Sequence, residues 1–143
     1  MVLRLQERLV LLARTFPRNP CGVPRTGAAG GLAGGLWAVY DAELLPGIET
    51  VMDMVGFASL AATVDAVLTG EGCLDAQTSE GKVVSGVTAM CHQLNIPVHA
   101  IVGCCLLDRE DWSTMGLASV TEASSGAEQV AAGRALMHEL LSH

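Results

Sequence analysis

The densest run of chemically capable residues is TGEGCLDAQTSEGK, Thr69 to Lys82. Gly70 and Gly72 let a backbone turn sharply and approach a ligand closely. Glu71 and Asp75 are carboxylates able to hold Mg²⁺ or to accept a proton from a hydroxyl. Lys82 is the only lysine of the chain. The periodicity that follows places it in the first turn of a helix, where backbone N–H groups already attract anions. A cation there opposes the helix dipole by roughly 0.3–1 kcal/mol. The position is rational if Lys82 and the helix end share a phosphate or a carboxylate; a solvated lysine paired with Glu80 is the alternative.

Other chemistries are poorly served. A Walker A loop would need Gly at Ala76 and Ser or Thr at Val83, and a GxGxxG loop would need Gly at Asp75. The glycines at 27, 30, 31, 34 and 35 contain no GxGxxG register and follow no clear strand. Thr78 or Ser79 reads as a helix N-cap before it reads as a ligand. Five cysteines (Cys21, Cys73, Cys91, Cys104 and Cys105) give an odd count with an adjacent pair and no CxxC. They describe neither a disulfide framework nor a zinc site. Cys73 is expected to be an inert loop thiol, with Cys104 and Cys105 bordering the same cleft. His99, alternating within a strand, reads as structural. A reducing, cytoplasmic setting is the expectation.

Composition bounds the rest. The 143 residues are 50% hydrophobic and 3% aromatic, with a net charge of −7. Residues 1–26 carry five arginines and one acid, for +4, while the rest carries three cations and fourteen acids, for −11. An Arg-rich start can mimic a transit peptide, but Leu5, Leu9, Leu12 and Phe16 equally describe a surface helix. Nonspecific nucleic-acid binding would need clustered cations, and no apolar run reaches the length of a membrane span. The expectation is a soluble globular chain binding neither nucleic acid nor membrane.

The elements that must position the loop follow from periodicity. A helix is expected over 3–16 and a loop over 16–26. A small-residue helix entered at Gly27 follows, and then a short helix starting at Pro46. Val64 to Leu68 predicts a strand and Thr69 to Thr78 a loop. Val84, Val87, Cys91 and Leu94 keep helical spacing, Pro97 to Val102 and Leu117 to Val120 read as strands, and Ser125 with Glu128 forms a capping box before a last helix. Strands alternating with helices imply a parallel, doubly wound α/β sheet, in which ligands bind beyond the carboxyl ends of the strands.

These segments resemble the bacterial-type glycerate kinase family. DAVLTGEGCLDAQTSEGK (Asp65 to Lys82) is similar to its signature, TGEG followed by LDAQT and GK. TGAAGGLAGGL (Thr26 to Leu36), AELLPGIETVMDMVG (Ala42 to Gly56) and IPVHAIVG (Ile96 to Gly103) follow in the family's order. The resemblance implies ATP-dependent phosphorylation of D-glycerate with Mg²⁺. It also implies a flavodoxin-like domain at 61–143, preceded at 1–60 by a helical remnant of a second, inserted α/β domain. Carried over, Asp75, Lys82 and Glu71 become catalytic candidates, with Asp75 or Glu71 holding the metal. Thr69, Gly70, Gly72, Gln77 and Gly81 become substrate- or phosphate-binding candidates. The family is well over twice this length, so the resemblance covers a C-terminal portion. A missing N-terminal half, another subunit or a homo-oligomer is the implied partner. The chain departs from the family at Cys73, where Arg is usual, at Cys104, where a small polar residue is usual, and at Pro24 to Gly31, where PGAGAAGG is common. The competing expectation is a noncatalytic remnant retaining weak ligand binding or self-association.

Overall fold

A computed structural model describes Glu7, residues 10–76 and residues 83–142. Two compact units divide the chain, Met1–Gly47 and Ile48–His143.

In the first unit, residues 10–13 are helical and a proline- and glycine-bearing loop follows. A 3₁₀ turn, Ala28–Gly31, leads into helix α1, Leu32–Tyr40. Gly31 caps α1 in the left-handed region at φ 93°, a conformation that costs glycine little. The Gly34 N–H donates to the Thr26 carbonyl at 3.0 Å, and a Cβ on Gly34 would stand 2.8 Å from that oxygen. Small residues in this helix thus serve close backbone packing. Arg18 closes the unit: its guanidinium lies 4.2 Å over the Trp37 ring and pairs with Asp41 at 2.8 Å.

The second unit begins with helix α2 (Gly47–Met54), whose first residue closes the preceding unit, and helix α3 (Phe57–Ala61). Ile48, Met52 and Phe57 join its core. Strand β1 (Val67–Leu74), helix α4 (Val83–Gln93), strand β2 (Val98–Cys105), helix α5 (Arg109–Thr114), strand β3 (Leu117–Glu122) and helix α6 (Gly126–Leu140) follow. The strands form one parallel sheet in the order β1-β2-β3. This is the α/β architecture that the alternation predicts.

One helix face and one sheet face make the core. Val84, Val87 and Cys91 of α4 meet Val98, Ala100 and Val102 of β2, with Leu74, Leu117 and Met52 around them. Each buried valine, leucine or methionine side chain among them contributes about 1.5–3 kcal/mol. Among the described residues Thr88 is the one polar side chain in the buried set, and its hydroxyl donates to the Val84 and Ser85 carbonyls at 3.0 Å each. Burial pushes the Cys91 thiol above its ordinary pKa.

β1 runs further than the hydropathy suggests. Thr69, Gly70, Glu71, Gly72 and Cys73, expected in a loop, are strand residues, and all but Gly72 have a partner in β2. Gly70 explains why the polar stretch stays extended, since a Cβ there would collide with the Ile101 carbonyl oxygen of β2. A glycine read as a turn signal here permits close strand approach. α3 and α5 are additional to the predicted elements; α5 is capped by the Asp108 side chain, which accepts from the Asp111 N–H at 2.9 Å.

α6 carries the expected capping box. Ser125 Oγ accepts from the Glu128 N–H, and the Glu128 carboxylate accepts from the Ser125 N–H at 3.1 Å and from Ser124 N–H and hydroxyl at 2.7 and 2.9 Å. The Ser124 hydroxyl, then the two backbone donors, hold the Glu128 carboxyl below its usual range. A depressed pKa stabilises the fold above the ordinary carboxylate value, and that contribution is lost as pH falls through the lowered one. Acid titration followed by amide exchange should therefore keep the first turn of α6 protected at pH 5 and fray it at lower pH; Glu128→Gln should abolish that dependence. In urea, Gly70→Ala should lower unfolding stability by about 1–3 kcal/mol through overpacking, with an unchanged m-value.

Candidate active site at the carboxyl end of the sheet

A parallel ladder brings equivalent strand ends together, and their loops converge there. In β1 and β2 the register pairs Glu71 with Val102, Cys73 with Cys104 and Leu74 with Cys105. One more backbone bond closes the end, the Leu106 N–H donating to the Leu74 carbonyl at 2.8 Å. Asp75 is the first residue beyond β1, directly above this closure.

Glu71 and Asp75 are both half-buried. A strand advances about 3.3 Å per residue, so their backbones stand roughly 13 Å apart. The two carboxylates are therefore separate groups rather than a chelating pair. Glu71 lies within the ladder, on the face it shares with Val102 and the core; Asp75 lies at the rim. Among the described residues no three His, Cys, Asp or Glu side chains gather as a metal cluster. Mg²⁺ requires less, usually one or two carboxylates completed by water and phosphate oxygens. Oxygen ligation by Asp75, or by Glu71 in its stead, fits that requirement.

Other residues named from sequence fall as follows. Thr69, Gly70 and Gly72 are strand residues, and Thr69 shares the face of Glu71. Gln77, Thr78, Ser79, Glu80, Gly81 and Lys82 lie outside the described residues, so the helix-cap and anion-site expectations rest on sequence. His99 sits near the amino end of β2, away from the site. Its Nδ1 is 2.7 Å from the Ser119 hydroxyl, and its buried Nε2 has no hydrogen-bond partner. A structural role fits that placement. In the first unit, the glycine-rich segment borders an apolar groove of about 650 Å³ with Leu12, Phe16, Leu36 and Tyr40.

The cysteine expectation is corrected. Cys73 is not a loop thiol but half of a disulfide with Cys104, Cα to Cα 4.6 Å. Cys21, Cys91 and Cys105 are free. Counting cysteines missed the pair because only strand register reveals it. Once β1 is extended through Cys73, the signal is plain: Val67 opposite Val98 carries Cys73 opposite Cys104.

A parallel α/β sheet with a carboxylate, Asp75, at its carboxyl rim belongs to the class of folds whose ligands bind beyond the carboxyl ends of the strands. The chain belongs to the glycerate kinase family, which it matches over residues 1–143. It is 40% identical over 103 residues to the glycerate kinase of Halalkalibacterium halodurans, covering 69% of this chain and 27% of that protein. Against the glycerate kinase of Haemophilus influenzae it is 42% identical over 89 residues, covering 62% and 23%. A solved structure assigned to glycerate kinase 2 of Salmonella typhimurium LT2 aligns with a TM-score of 0.52 at 33% identity, covering 82% of this chain and 29% of that one. The chain thus spans about a quarter of the length of these relatives.

The unequal positions of the two carboxylates should show in ligand binding. In calorimetric titration of Mg²⁺ with ATP, removing the charge of the carboxylate that holds the metal (Asp75→Asn or Glu71→Gln) is expected to cost at least tenfold in affinity and removing the other less than threefold; equal losses would contradict separate roles.

Proposed function

We propose that this chain supplies the carboxyl-end cleft of an ATP-dependent glycerate kinase, corresponding to the C-terminal part of the family's longer members. The single observation carrying the proposal is the placement of Asp75 at the rim of the β1–β2 ladder in a chain matching the glycerate kinase family throughout. Phosphoryl transfer to a hydroxyl demands positioning and charge neutralisation more than covalent help from the protein. Asp75 accepts the proton of the D-glycerate hydroxyl as the oxygen attacks the γ-phosphorus of ATP and the β–γ bridging bond breaks to release ADP, or Asp75 would hold the metal while Glu71 takes the proton. Thr69, Gly70 and Gly72 fix the strand end; Gln77, Gly81 and Lys82 contact the substrate or phosphate. Lys82 neutralises phosphate or pairs with the glycerate carboxylate. Mg²⁺, when bound, supplies charge neutralisation on the phosphate oxygens. The acidic chain leaves much of that task to the metal and to helix N-termini. The composition and this metabolic chemistry suit a cytoplasmic setting.

A second reading, a noncatalytic module that associates with other protein, draws on a different observation. Leu32, Val39, Tyr40 and Leu68 are all strongly exposed, Leu68 on the edge strand β1. Such apolar surface suits either the additional chain that family members possess or a second copy.

One assay separates the readings. The chain is combined with the segment by which a family member exceeds it, and ADP release is followed with MgATP. D-Glycerate-dependent ADP release is expected, reduced at least a hundredfold by Asp75→Asn. Absence of such release from a folded, associated pair would establish the noncatalytic reading.

A further inference from the structure

We propose that Cys73 and Cys104 form a reversible thiol–disulfide site that clamps the carboxyl ends of β1 and β2. The two residues are direct partners in the parallel register, with Cα atoms 4.6 Å apart. The ladder that holds them continues on both sides, through Glu71–Val102 and Leu74–Cys105. The strands therefore bring the two sulfurs together whether or not they are bonded. Neither cysteine belongs to the buried core, whose contacts with α4 stand independently of the bond. A pre-formed pair of this kind loses little freedom on bonding in the folded state, and the fold survives its reduction.

Access supports exchange as well. Cys73 and Cys104 are half-buried, whereas Cys91 is fully buried within the core. Cys105, next in sequence, directs its thiol to the Leu107 carbonyl at 3.3 Å and is unbonded. The register thus selects one pair from three neighbouring sulfurs.

The chemistry requires a small disulfide such as oxidised glutathione. One cysteine thiolate attacks a sulfur of the reagent and expels a glutathione thiolate, leaving a mixed disulfide on the protein. The second cysteine thiolate then attacks the protein sulfur of that mixed disulfide and expels the other glutathione thiolate. Cys73 and Cys104 are oxidised together and the reagent is reduced to two thiols, which take up the two cysteine protons. Excess reduced glutathione runs the sequence backwards.

The consequence lies at the ladder's end. The bonded pair stands two residues beyond Glu71 on the same strand face and one residue before the Leu74 carbonyl that receives the Leu106 N–H. Oxidation fastens this end with a covalent bond; reduction leaves it to hydrogen bonds and to the packing of Leu74.

The whole chain, equilibrated across a series of reduced-to-oxidised glutathione ratios and quenched with acid, is alkylated under denaturing conditions and mapped by peptide mass. Three alkylated cysteines are expected at the oxidising end and five at the reducing end, with the Cys73–Cys104 linkage as the one that titrates. Amide exchange at Leu106 is expected to quicken at least tenfold on reduction. The Cys73→Ser/Cys104→Ser double variant should show the quickened exchange at every ratio, with an unchanged far-ultraviolet circular dichroism spectrum. Cys105→Ser should titrate as the parent does. A linkage through Cys105, five alkylated cysteines at every ratio, three at every ratio, or Leu106 exchange indifferent to reduction would each overturn the proposal.

Discussion

Close contact between β1 and β2 is the constraint on which the second unit depends. Gly70 stands against the Ile101 carbonyl, and Gly103 against the Gly72 carbonyl. Neither strand tolerates a side chain at its point of approach, so sequence and register are locked together. A parallel sheet slipped by one residue would exchange core and outer faces along its whole length. With the register fixed, Ala100 and Val102 reach the core together. The same register sets Cys73 against Cys104 and leaves Asp75 at the rim.

The core built on that ladder is small and aliphatic. Among the described residues it holds four valines, two leucines, a methionine, an alanine and a cysteine. Gly86 belongs to the same economy, because a Cβ there would press within 2.5 Å of Ile48 Cγ1. The small residues of the first unit act similarly, with Gly34 admitting the Thr26 carbonyl. Close backbone packing replaces large side chains in both units, consistent with the 3% aromatic content. Much apolar surface nevertheless stays outside, including Met54, Leu60 and Leu68.

Much of this was legible in the residues. Alternation of apolar runs and helical spacing predicts β1, α4, β2, β3 and α6 in order, and Ser125 with Glu128 marks the last helix start. The early end assigned to β1 has a definite cause: glycine and glutamate lower hydropathy alike in turns and at close strand contacts. Only the neighbouring Ile101 carbonyl tells the two apart. The Cys73–Cys104 bond was illegible for the same reason, since it depends on how far the strand runs. Asp108 capping a six-residue helix gives too short a periodic signal to recognise. The candidate site is readable as a motif, Glu71 to Lys82, but not as a geometry: the separation of Glu71 and Asp75 needs the strand that carries them, and Gln77 to Lys82 lie outside the described residues.

The most direct test of the account is an NMR titration of the isotopically labelled chain with D-glycerate and MgATP. If the carboxyl end of the ladder forms the ligand cleft, amide shifts should concentrate at Glu71 to Ala76 and at Val102 to Leu106. Shifts confined to the glycine-rich turn at Ala28–Gly31, or none at saturating ligand, would contradict it.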